Sequence, residues 1–280
     1  MENTRKVNRI NKYGAFDKQN IIKEVKQKYL NEKKSLNEIS KEIGVSRFAI
    51  TKWLKEEGVI IIPPGEAGKI KSKIHDYEEN YFENIDNPNK AYILGFIVGD
   101  GCVVNETKRK RLKIEIAESD LLLLEKIAKE LKAENLIKIR EKQKTHWQNK
   151  ASLTINSTKM CNDLINLGVT ARKTGFEKFV NFEDKKLTWA FIRGLFDADG
   201  CIVKYNDNRR KFGIVSNEQI LIDIKNFFNK EGIETAPKAI YPKKGCYEMN
   251  VWRKASIEKI CSKMYESGDI KLDRKYDKFF

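Results

Sequence analysis

The sequence predicts an α+β protein: two halves of one αββαββα plan, related by a pseudo-twofold axis and preceded by a small all-α domain. Three observations carry that expectation. Ala91–Val103 (AYILGFIVGDGCV) returns as Ala190–Ile202 (AFIRGLFDADGCI), 99 positions further on. Each copy is followed by the same order of strand-like and helix-like patterns, so one unit of about 100 residues has been used twice. Residues 17–62 read instead as three short helices.

Residues 1–16 are basic and polar and read as a flexible extension. The first helix is expected over Asp17–Leu30, with Ile22, Val25 and Tyr29 on one face. The second runs Leu36–Ile43 and opens on a capping box, where Ser35 and Glu38 can each satisfy the other's backbone N–H. After a Gly44-Val45 turn, Ser46 is placed to cap a third helix over Ser46–Glu57, turning Ile50, Trp53 and Leu54 inward. Ile61–Lys69 (IIPPGEAGK) breaks regular structure. Its glycines stand too close together for a phosphate-binding loop, and no strand precedes them. Residues 63–90 therefore read as linker, with the first half at 91–180 and the second at 181–280.

Within the first half, Arg109, Arg111 and Lys113 interleave with Leu112, Ile114 and Ile116. Within the second, Arg209 and Lys211 interleave with Phe212 and Ile214. Period-two alternation marks a strand with one buried and one wet face. Helices follow over Leu121–Leu131 and Ile220–Asn229. Strand pairs come next, Ile137–Lys142 with Ala151–Ile155 and Ala239–Tyr241 with Tyr247–Trp252. Helices Lys159–Leu167 and Ser256–Tyr265 close the halves, each ahead of an Arg-Lys pair, Arg172-Lys173 and Arg274-Lys275.

Composition narrows the chemistry. Lys and Arg outnumber Asp and Glu by 55 to 40, a net charge of +15, which suits a polyanionic partner through electrostatic steering and counterion release. No segment approaches the ~18 apolar residues of a membrane span, and the N-terminus lacks a signal-peptide core. The five cysteines form no CxxC pair, so neither a disulfide framework nor a structural zinc site is indicated; a reducing, cytoplasmic setting is expected. Two histidines, His75 and His146, are too few for a multi-histidine metal site.

Chemistry concentrates in the doubled motif. Gly95 and Gly99 lie four apart, as do Gly194 and Ala198, so each helix carries a flat stripe of small residues that lets two axes approach closely. Packing the stripes together sets Asp100 opposite Asp199. Two carboxylates so close repel unless a proton or a cation intervenes, and the unsatisfied carbonyls of two helix C-termini also favour a cation. Hard oxygen ligands with room for water suit Mg²⁺. Taken singly, each Asp-Gly could merely end a helix, with Gly101 or Gly200 as its cap. Two copies at matched positions in a basic protein argue for more.

The motif copies, ILGFIVGDG (Ile93–Gly101) and IRGLFDADG (Ile192–Gly200), together with the lead-in Asn89-Lys90-Ala91-Tyr92, resemble the signature of LAGLIDADG homing endonucleases. The resemblance covers about 91–280. It implies a monomeric, metal-dependent endonuclease acting on long duplex DNA, with Asp100 and Asp199 as catalytic acids. It also implies that the main-chain carbonyls of Gly99 and Ala198 join them as metal ligands. Lys173 and Lys275 fall where that family keeps a basic residue near the scissile phosphate, to polarise water or stabilise transition-state charge. Two departures make the halves unequal: Val98 stands where the second copy has Asp197, and Glu118 and Asn217 stand where the family often has Gln or Lys.

Four strands per half would form a saddle whose wet faces lie over the major groove of DNA. Arg109, Arg111, Lys113, Lys138, Arg140 and Lys142 are the DNA-binding candidates of the first half. Arg209, Lys211, Lys243 and Lys244 are those of the second. The N-terminal helices resemble a resolvase-type helix-turn-helix, whose last helix offers Arg47, Phe48, Thr51, Lys52 and Lys55 to a major groove. Two rival readings use the same scaffold: a DNA-binding regulator that no longer cleaves, and an RNA maturase assisting intron splicing.

Overall fold

The computed structural model describes residues 15–32, 34–61, 77–106, 109–141, 148–169, 177–206 and 209–280, with backbone alone for 15–17 and 109. It divides into two compact units, Met1–Ile74 and His75–Phe280. The start of the basic N-terminal extension and most of the Ile61–Lys69 breaker lie outside the described residues.

Among its described residues the first unit has three helices: α1 (Ala15–Leu30), α2 (Leu36–Ile43) and α3 (Arg47–Glu56). The expected capping box at Ser35 and Glu38 forms in both directions. Gly44 then takes a left-handed φ of 73°, which only glycine adopts cheaply, and turns the chain towards α3. Ser46 caps α3 through the N–H of Ala49, while Ser40 Oγ donates to Val45 O (2.6 Å) and closes the corner between the helices. Val25, Ile39, Ile50, Trp53 and Leu54 fill a small core of their own.

In the second unit each half repeats one order. The first half runs α4 (Pro88–Asp100), β1 (Gly101–Glu106), β2 (Arg109–Ala117), α5 (Leu121–Glu130), β3 (Ile137–Arg140), β4 (Lys150–Ile155) and α6 (Thr158–Asn166). The second runs α7 (Lys185–Asp199), β5 (Gly200–Lys204), β6 (Arg210–Ser216), α8 (Glu218–Lys230), β7 (Ile240–Lys243), β8 (Cys246–Val251) and α9 (Lys254–Met264). A short α10 (Asp273–Tyr276), absent from the sequence expectation, follows and leads into a 3-10 turn over Asp277–Phe279. The antiparallel sheets have matching orders, β1-β2-β4-β3 and β5-β6-β8-β7.

Alternation behaves as predicted: Leu112, Ile114 and Ile116 are buried while Arg111 and Lys113 face outward. Helix α4 is buried on every side from Ala91 to Val98, because it is packed against the partner helix and β1 and β2. Residues 77–87, assigned above to a linker, instead belong to this unit: Tyr81 and Phe82 are buried in its core, an apolar pair that free linker would leave in water. None of the five cysteines forms a disulfide, and no described helix is long and apolar enough to cross a membrane.

A candidate active site where two helices end

Helices α4 and α7 cross along their small-residue stripes, and the contact obeys the pseudo-twofold relation residue by residue. A Cβ added at Gly95 would stand 2.0 Å from Phe191 O, and one added at Gly194 would stand 2.0 Å from Tyr92 O. Each glycine thus presses on the carbonyl one turn ahead of its counterpart. At the far end a Cβ on Gly99 would stand 2.3 Å from the Cβ of Ala198 and 3.1 Å from Asp199 Oδ2. The Asp199 carboxylate therefore lies against the space that Gly99 leaves open. Both Asp100 and Asp199 are exposed, directly after buried turns of helix.

The helices run straight into strands. Gly101 and Gly200 have φ of −76° and −98°, extended rather than left-handed, so they are not glycine caps in the sense considered above. They are glycine for space: a Cβ at Gly101 would be 2.7 Å from Ile97 Cα, and one at Gly200 2.6 Å from Phe196 O.

Behind the acid of α7, the described residues show how that helix end is held. Lys275 is only 7% exposed, and its Nζ donates to Phe196 O (3.0 Å), Asp197 O (2.7 Å) and Ala198 O (3.1 Å). An ammonium thus satisfies three orphan carbonyls at the C-terminus of α7, where the helix dipole favours positive charge. Burial lowers the Lys275 pKa, opposed by the negative charges of Asp197, Asp100 and Asp199. The family resemblance implied Lys275 beside the scissile phosphate. The structure places it under the helix end, and the Ala198 carbonyl assigned to metal accepts from it.

Asp197 is the residue that sequence reasoning passed over. Its Oδ2 accepts from Tyr92 Oη on α4 (2.8 Å) and from Leu272 N in the C-terminal tail (2.8 Å). It therefore ties together both helices and the tail. Burial raises its carboxyl to about 6, although those two hydrogen bonds and the charge of Lys275 favour the ionised form. The signal was visible as the Val98/Asp197 difference between the copies, but its partner Leu272 lies 75 residues away in sequence. Arg193 is buried beside it, donating to Met264 O (2.9 Å) and Ser267 O (2.7 Å) under the rings of Tyr92 and Tyr265. Arg274 forms a bidentate pair with Asp120 (2.7 Å twice), fastening the tail to the first half.

The other candidates fall as follows. Lys173 and Lys142 lie outside the described residues, and of Arg109 only the backbone, at the start of β2, is described. Glu118 accepts from Asn149 Nδ2 (2.8 Å), while Asn217 caps α8 and donates to Glu177, so both are occupied in holding local structure. Arg111, Lys113, Lys138 and Arg140 line the wet face of the first sheet. Lys211 and Lys243 line that of the second, Lys244 sits in its β7–β8 turn, and Arg209 stacks on the Tyr205 ring. Lys113, Lys211 and Lys243 are each ion-paired with a glutamate, which the sequence did not reveal. In the first unit Arg47, Lys52 and Lys55 are exposed on α3, Phe48 is 82% exposed between them, and Thr51 Oγ1 donates to Arg47 O.

Among the described residues no group of three or more His, Cys, Asp or Glu side chains could hold a metal ion. An ion at the helix ends would rest on two carboxylates, main-chain oxygen and water. That donor set fits a hard cation that retains water, such as Mg²⁺.

Comparison with known proteins places the chain. The family model of the LAGLIDADG-like domain matches twice, over residues 87–166 and 187–265. Among solved structures, the LAGLIDADG meganuclease I-AabMI bound to uncleaved DNA is similar at 16% identity and a TM-score of 0.45, covering 69% of this chain and 87% of that one. I-GzeII in complex with its DNA target gives 12%, 0.45, 69% and 87%. I-DmoI in complex with DNA and Mn gives 21%, 0.43, 65% and 98%. No curated protein sequence matches.

Proposed function

The chain belongs to the LAGLIDADG-like family, and we propose that it is a metal-dependent, site-specific DNA endonuclease. In this reading it acts as a monomer, since one chain carries both domain copies. It hydrolyses a phosphodiester bond on each strand of a long, loosely palindromic duplex target. The observation that supports the proposal is the crossing of two helices whose glycines permit backbone contact, with Asp199 Oδ2 3.1 Å from where a Cβ on Gly99, the neighbour of Asp100, would stand.

Each residue then has a task. Asp100 and Asp199, with the main-chain oxygens of Gly99 and Ala198, would hold a divalent ion such as Mg²⁺; the Ala198 carbonyl keeps a second lone pair beside its bond from Lys275. When bound, the ion would lower the pKa of attacking water and stabilise charge on the leaving oxygen. Asp100 and Asp199 also orient that water for in-line attack. Lys275 keeps the carbonyls of α7 and its terminal acid fixed, and adds positive potential beneath the phosphate; Lys173 is the corresponding candidate in the first half. Arg111, Lys138, Arg140, Arg209 and Lys244 meet the DNA backbone and bases, with Arg109 and Lys142 as further first-half candidates. The α3 face of the first unit, a helix-turn-helix in this reading, docks in an adjoining major groove.

An unbiased cleavage selection on randomised duplex DNA tests the proposal, run with Mg²⁺ and with chelator. Recovery of double-strand breaks at one long sequence, in the Mg²⁺ arm alone, is the expected result. Tight, sequence-specific binding without any cleavage would overturn the enzymatic reading and leave a DNA-binding regulator.

A further inference from the structure

The wet faces of the two sheets share an arrangement that the repeat itself does not encode. In the first, Glu115 on β2 pairs across to Ser152 on β4, and Ser152 in turn to Lys138 on β3. In the second, Val215 on β6 pairs to Glu248 on β8, and Glu248 to Tyr241 on β7. These are the same rung, since Ile114 meets Leu153 one step before it and Ile214 meets Met249. One carboxylate therefore occupies the same rung in both halves, on opposite members of the cross-strand pair. Val215 stands where Glu115 does and Ser152 where Glu248 does, so duplication alone did not produce the match.

Each carboxylate is gripped by two lysines. Glu115 accepts from Lys113 (2.6 Å) and Lys150 (2.8 Å), and Glu248 from Lys211 (2.9 Å) and Lys243 (3.0 Å). The glutamate side chains are 22% and 11% exposed, with the outer lysines Lys150 and Lys243 at 58% and 49%, so the acids lie beneath ammonium heads. Surface ion pairs of this kind add little stability. On a face meant for a polyanion, an acid also weakens attraction unless the placing of the lysines matters. A free lysine is a mobile point charge suited to phosphate, whereas two ammonium groups fixed on one carboxylate form a paired donor. In the major groove only guanine offers two adjacent acceptors, O6 and N7.

We propose that Glu115 and Glu248 are specificity-determining positioning residues, each aiming its lysine pair at one guanine in the major groove of its half-site. The inference rests on the reading of the saddle as a DNA-binding surface.

Binding selection from randomised duplexes by the full chain, without divalent metal, tests it on the wild type, Glu115→Gln and Glu248→Gln. The wild type should show a guanine column in each half-site. Each variant should flatten its own column by about tenfold and leave the others unchanged. Freed lysines should also strengthen binding to random duplex and steepen the log K against log salt slope by about 1. Lys243→Met removes a cation, so it should flatten the second-half column without the steeper slope, which separates lost aim from a damaged sheet. Glutamine variants that keep both columns and the wild-type slope would overturn the inference alone. A wild type that enriches no sequence would overturn the DNA-target reading, and this inference with it.

Discussion

In the second half an aspartate, Asp197, is buried where the first half has Val98, and burial lifts its carboxyl to about 6. Its ordinary value is 3.8, so the folded state binds the proton more tightly than the unfolded one. Such a group contributes most to stability below 3.8, and the contribution is lost as pH rises through about 6. The stability advantage of wild type over Asp197→Asn should therefore shrink across that interval and stay flat above it, as followed by thermal melting in a pH series. An advantage that grows over the same range would contradict the assignment. Lys275 gives a second expectation at this scale. Lys275→Met keeps most of the volume but strands three carbonyls, and should cost about 3 kcal/mol in denaturant melts. A change under about 0.5 kcal/mol would mean the carbonyls find other partners.

At the scale of elements, the crossing of α4 and α7 depends on two glycines whose absent Cβ atoms make room for a partner carbonyl. Gly95→Ala or Gly194→Ala must push the helices apart, and each should cost at least about 2 kcal/mol and disturb the spacing of the acids. Calorimetry combined with a cleavage assay would check both, and a fully stable, active Gly194→Ala would refute this packing account. This crossing was legible in the sequence because small residues four apart define a face without outside information. The caps at Ser35, Ser46 and Asn217 are equally local, although only the first two were read as such. Legibility ends where partners come from far along the chain. The grip of Leu272 on Asp197, the burial of Lys275 and the short α10 depend on how the tail folds back, which no periodicity reports. The shared rung of Glu115 and Glu248 depends on strand register, which the sequence alone leaves open.

For the molecule as a whole, charge and domain division set the behaviour. With a net charge of +15, binding to duplex DNA should weaken steeply as salt rises, each lost phosphate contact reducing the log–log slope by about 1. The second unit has its own continuous core, so a chain of residues 75–280 should unfold cooperatively and still cleave, with weaker affinity than the whole. Affinity unchanged on removal of 1–74 would argue that α3 does not touch DNA. The most direct test of the central claim compares Asp100→Asn and Asp199→Asn with wild type on the selected target in Mg²⁺. Each single variant should bind that target as wild type does and cleave it at least about a hundredfold more slowly. Wild-type cleavage by either variant would contradict a shared site built from both helix ends.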